Sequence, residues 1–110
     1  MQTILKDDGM NNSHISAMDM QGSLMTLKVA AASNPSKVAT SIIKNMQEGK
    51  SVETLSIGAG ATNQAIKAIM IARGLGAPMG WDLLISAGFI DLTIDGEKKT
   101  AIKLAIIIRR

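Results

Sequence analysis

The residues of this 110-residue chain best equipped for chemistry are a run of cations and a glycine turn, and neither comes with a catalytic partner. Lys98, Lys99, Lys103, Arg109 and Arg110 all follow Gly96, opposed there only by Glu97. A basic hairpin of this kind attracts phosphate, although the same lysines also suit the wet face of an ordinary strand pair. Gly58-Ala59-Gly60 stands between a β-branched run and a helical pattern, the setting of a phosphate-binding turn. The third glycine of a dinucleotide fingerprint would fall at position 63, which is Asn63, and the chain is too short for two mononucleotide-binding halves. That leaves the turn either free helix N-terminal amides to offer a phosphate or a purely geometric role.

Catalysis has little to work with. His14 is the sole histidine, there is no cysteine, and Asp82, Asp91 and Asp95 are spread along a strand pattern where solvated positions and turns account for them. Charge relays, thiolate chemistry, disulfides and clustered metal ligands are therefore not expected, and neither is a cofactor. We expect no enzyme. Trp81 can stack a nucleobase, but it opens an apolar strand and suits a half-buried structural position better.

The elements that must position these residues can be read from periodicity. Residues 1–24 are rich in Asn, Ser, Asp, Gly and Met, hold four of the eight methionines, and show no sustained period, so they read as a flexible extension. Residues 25–110 read as the folded domain. The extension carries net −2 from Lys6 against Asp7, Asp8 and Asp19, whereas the domain carries eleven Lys/Arg against six Asp/Glu, net +5. Trp81 and Phe89 are the only aromatics, so the core must be built from Ile, Leu, Val, Ala and Met.

Leu24–Ala32 suits a buried strand. Asn34 then supplies a helix cap and Pro35 a first helical residue. Val38, Ala39, Ile42, Ile43 and Met46 form one apolar stripe, and Gly49 ends the helix in a left-handed position. Val52–Ile57 is a second strand. A second helix begins at Ala61 or Thr62, with Ala65, Ile66, Ile69, Met70 and Ala72 as its buried side, and closes at Gly74 and Gly76 before Pro78.

Along 81–94, Trp81, Leu83, Ile85 and Phe89 share one parity and Ile90, Leu92 and Ile94 the other. That switch predicts a bulge near Ala87-Gly88. Asp95-Gly96 is a hairpin turn, followed by a strand alternating through Ile102, Leu104, Ile106 and Ile108. The order β-α-β-α-β-β, with right-handed crossovers, gives an α/β two-layer sandwich: a mixed four-stranded sheet with two helices on one face. The open sheet face and the long hairpin are then available for dimerisation.

Several blocks carry a resemblance. Leu27-Lys-Val-Ala-Ala-Ala-Ser-Asn-Pro-Ser-Lys-Val-Ala39, Ile57-Gly-Ala-Gly-Ala-Thr-Asn-Gln-Ala-Ile-Lys-Ala-Ile69, Ile71-Ala-Arg-Gly74 and Ile94-Asp-Gly-Glu-Lys-Lys-Thr-Ala-Ile-Lys-Leu104 resemble the stage V sporulation protein S family over about residues 25–110. The resemblance implies an Alba-like fold with the same element order, a homodimer, DNA or RNA as partner, and a role in sporulation or developmental regulation.

Alba domains present a basic pair where this chain has Ser33 and Asn34, and arginines where it has Gly58 and Gly60. The candidate nucleic-acid contacts are those four together with Lys37, Asn63, Lys67 and Arg73, the arm residues Lys98 and Lys99, and Arg109 and Arg110. Because phosphate neutralisation dominates such affinity, binding is expected to be modest, salt-sensitive and largely sequence-independent. The competing expectation is a protein-interaction adaptor on the same scaffold. No apolar run approaches the ~20 residues of a membrane span and no secretory signal is read, so a cytoplasmic location is expected.

Overall fold

The computed structural model describes residues 2–4 and 23–110. Strands β1 (Gln2–Ile4), β2 (Leu24–Val29), β3 (Ser51–Ser56), β4 (Asp82–Ile94) and β5 (Glu97–Arg109) form one mixed sheet in the order β1-β2-β3-β5-β4. Helices α1 (Pro35–Gln47) and α2 (Ala59–Gly76) cover one of its faces. The four strands and two helices from β2 onward have the expected β-α-β-α-β-β order. Strand β1 is an addition: it pairs antiparallel with β2, Gln2 opposite Lys28 and Ile4 opposite Thr26, within the stretch read as a flexible extension. His14 and the three aspartates of that stretch lie outside the described residues.

Helix α1 follows its periodicity closely. Asn34 Oδ1 accepts the backbone N–H groups of Ser36 at 2.9 Å and Lys37 at 3.2 Å, satisfying two otherwise orphaned donors. Pro35 occupies the first turn, and Val38, Ala39, Ile42, Ile43 and Met46 are the buried side. Gly49 takes the left-handed conformation just past the end. Ile42 is fully buried against both β2 and α2, worth about 1.5–3 kcal/mol of transfer free energy.

Helix α2 departs from expectation at both its start and its face. It begins at Ala59, so Gly60 lies in the first turn, and its cap is Gly58 at φ +93, where a side chain would be strained. The buried side is Ala61, Ala65, Ala68, Ile69, Ala72 and Gly76, while Ile66 and Met70, expected inside, are exposed. The reason is the helix–helix seam. Small residues let α1 approach closely with its larger Val38, Ile42 and Met46, and this turns the bulkier α2 side chains outward. Helix α2 also runs through Gly74 to Gly76, against which the half-buried Trp81 packs.

The β4–β5 hairpin closes through Asp95 and Gly96, both at positive φ, as a two-residue turn requires. Its register runs without interruption from Asp82 opposite Arg109 to Ile94 opposite Glu97, so the bulge expected near Ala87-Gly88 is absent. The parity switch has a different cause: the two halves of the hairpin serve different partners. Strand β3 pairs with β5 only from Ile102 to Ile106, so the distal part projects beyond the sheet as an arm. Leu83 points to the helices near the base, whereas Leu92 and Ile94 on the arm face a cleft at the strand ends.

Candidate nucleic-acid interface

Strands β2 and β3 are parallel, so their carboxyl ends and the amino ends of both helices gather at one end of the sheet. The arm projects from that same end, because Ser56 at the end of β3 sits opposite Ile102 of the antiparallel β5. Crevices outside the carboxyl ends of parallel strands are where α/β sheets bind ligands. Two hollows flank the arm here. A cleft of about 430 Å³ runs between Ala30, Ala31 and Ile57 and the arm residues Leu92–Ile94, with Lys28 also on its wall. A shallower hollow of about 570 Å³ lies between the first turns of α2 and the arm, bounded by Asn63, Ile66, Phe89 and Thr100.

The twelve residues singled out from sequence do not form one surface. Ser33, Asn34, Lys37, Gly58, Gly60, Asn63, Lys98 and Lys99 lie at the arm end, and Lys67 is one turn beyond Asn63 on α2. Arg109 opens the other end of the hairpin opposite Asp82, thirteen residues from Gly96. At about 3.3 Å per residue that is roughly 40 Å away. Arg73 and Arg110 stand with Arg109, so these three arginines are separated from the arm.

Several of the arm-end residues are already occupied. Ser33 is only 5% exposed. Its Oγ accepts the Ala30 N–H at 2.9 Å and its carbonyl accepts from Gln64 Nε2 at 2.8 Å, which ties the first turn to α2. That burial corrects the expectation of a surface contact at this position. The Asn34 side chain is committed to capping α1. Gly60 is held by close approach, since a Cβ there would lie 3.2 Å from the Cβ of Ala31. Gly58 and Asn63 remain exposed.

The two arm lysines point to opposite faces of the ribbon, because neighbours in a strand alternate. Lys99 lies opposite Leu92 and pairs with Glu97 at 3.4 Å. Lys98 lies opposite Thr93, on the face that carries Thr100 and Phe89, and has no carboxylate partner among the described residues. Lys37, exposed in the first turn of α1, is likewise unpaired among them. Lys37 and Lys98, like Lys28 on the cleft wall and Lys67 further along α2, therefore have no carboxylate partner among the described residues and are left free for an anion.

At the far end Arg73 and Arg109 are spent on structure. Asp82 accepts Arg73 Nη2 at 2.5 Å and Arg109 Nη2 at 2.6 Å, and Arg73 Nε also donates to the Leu83 carbonyl at 3.1 Å. The hydrogen bonds from Arg109, then those from Arg73, hold the Asp82 carboxyl below its ordinary value. A depressed folded-state value stabilises the fold above the ordinary carboxylate range, and that contribution is lost as pH falls through the depressed value. Asp82→Asn is therefore expected to lower Tm at neutral pH. The gap to the parent chain should close as pH is brought below about 4, and a gap independent of pH would show that the carboxylate charge is not what matters.

Phe89 shares the apolar strand parity of Trp81, Leu83 and Ile85, which suits a core position. The structure leaves it 81% exposed. Its parity does point it to the helix-covered face, but it stands on the outermost strand β4, across a hollow from α2. Among the described residues no three acidic, His or Cys side chains gather as metal ligands, and no helix is long and apolar enough to cross a membrane. A family model described as stage V sporulation protein S (SpoVS) matches residues 25–109.

Proposed function

We propose that this chain, which belongs to the stage V sporulation protein S family, is a non-enzymatic, dimeric nucleic-acid-binding regulator acting in the cytoplasm. The observation that carries the reading is the arm end. There, Lys37 and Lys98, without a carboxylate partner among the described residues, stand on either side of the amino terminus of α2, where Gly58 contributes no side-chain hydrogen bond. Cations spaced around a crevice fit a polyanion, and their small number fits weak, salt-sensitive binding without base readout. The family is not a known enzyme family.

Pairing of two copies is supported by an apolar strip that a monomer leaves wet. Met70 is 59% exposed and Ile85 42% exposed, where α2 meets the outer strand β4. Contiguous apolar area of this kind marks an interaction site. The strip lies on the helix side of the sheet, whereas the open face bears charged and polar side chains such as Lys28, Glu53 and Lys103 beside the apolar pair Leu84 and Ile107.

Fluorescence anisotropy of labelled DNA and RNA at two salt concentrations tests the binding, and sedimentation equilibrium at micromolar chain tests the pairing. Saturable binding at low salt and a mass of two chains are the expected results. No binding at low salt, with the dimer intact, would support the protein-adaptor reading, for which the open sheet face is the docking surface.

A further inference from the structure

We infer that Phe89 is a stacking platform for an unpaired nucleobase, so that the arm end prefers single strands to duplex. This deepens the nucleic-acid reading and rests on it.

Three observations carry the inference. First, a chain with a single phenylalanine leaves that ring 81% exposed, far more than its apolar neighbours. Second, the ring borders a hollow whose other walls are polar as well as apolar. Asn63 offers an amide and Thr100 a hydroxyl, the groups that hydrogen-bond base edges.

Third, the register sets a cation beyond the ring on the same face. Phe89 lies opposite Ile102, Asp91 opposite Thr100, and Thr93 opposite Lys98. Alternate residues along a strand are about 6.7 Å apart. A strand of nucleic acid with its base on Phe89 therefore runs past Thr100 toward Lys98, within reach of its phosphates. Lys67, one turn past Asn63 on α2, adds positive charge on the other side of the hollow. Asp91 is the opposing charge on this face, and its carboxylate accepts the Thr100 hydroxyl at 3.1 Å. Two lysines against one aspartate leave the surroundings of the ring positive, which favours a polyanion over a neutral apolar partner.

An aromatic ring on a protein surface gains from a base only when that base is free to leave its neighbours. In duplex the faces are already stacked and the outside is sugar and phosphate, which Phe89 cannot use. Lys37 and Lys98 serve either form, so the ring alone discriminates.

The test is anisotropy of the full-length chain with labelled oligothymidylate and with a duplex of the same length, comparing the parent with Phe89→Ala and Phe89→Tyr. The expected result is tighter binding of the single strand. Phe89→Ala should lower that affinity by between about five- and a hundred-fold while leaving duplex binding within about two-fold, and Phe89→Tyr should restore it. An exposed position spares the fold, which circular dichroism of each variant verifies. Equal losses on both forms, or no loss on either, overturn the platform while leaving the nucleic-acid reading standing. If the parent binds neither form even at low salt, both fall together. If Phe89→Ala leaves binding unchanged but halves the sedimentation mass, the ring belongs to a contact between copies and the inference is wrong.

Discussion

Replacing Lys37 and Lys98 together with glutamine is expected to weaken nucleic-acid binding roughly a hundred-fold near physiological salt and to flatten its salt dependence. The expectation follows from where positive charge is free. Each lysine that neutralises a phosphate releases condensed counterions, and in the proposed dimer these two lysines per chain supply about four contacts. Lys99 is held by Glu97, and Arg73 and Arg109 are held by Asp82, so their charges are already answered within the protein. Arg110→Gln, at the end remote from the arm, is the matching control and should change affinity by less than about two-fold. The loss in the double variant should be uniform across sequences, because phosphate contacts carry no base information. An equal loss from Arg110→Gln would move the interface to the other end of the hairpin.

The second large effect is on the fold itself. Ile42→Ala is expected to cost about 2–5 kcal/mol, because the side chain is fully buried where α1 meets both the sheet and α2. Its neighbours include Ala65, Ala68 and Ala72, which are already minimal and cannot extend to fill the space. A domain of this size has about 5–15 kcal/mol in total, so the variant should unfold at a much lower urea midpoint with little change in slope. A shift smaller than about 1 kcal/mol would mean that the two helices close over the cavity, contrary to a seam of alanines already in contact.

Much of this architecture was legible in the residues themselves. The stripe Val38, Ala39, Ile42, Ile43, Met46 repeats at helical spacing with one wide polar face, and every member is buried. Asn34-Pro35 and Asp95-Gly96 encode their structures locally, through a side-chain acceptor and through tolerance of positive φ. What failed to read was set by distant partners. Ile66 and Met70 look more like core residues than Ala61 or Ala68, yet the distance between helices decides which face turns inward, and that distance is a property of both helices.

The interface was legible only in part. Alternation alone separates Lys98 from Lys99, so their opposite faces follow from sequence once the hairpin is recognised. The distance between the arm and the arginine cluster also follows from strand length. The ion pairs that consume Arg73 and Arg109 do not, because Asp82 meets Arg73 from a helix and Arg109 from a neighbouring strand. Phe89 was the least accessible of all. Its parity is correct for a core position, and only the place of β4 at the edge of the sheet leaves it uncovered.

The most direct test of a nucleic-acid interface at the arm end is the salt dependence of binding by the unmodified chain. Titrations of one labelled single strand at about 50 and 200 mM salt should show affinity falling roughly a hundred-fold, a log–log slope of about −3. A slope near zero, or no binding at the lower salt, would contradict the account.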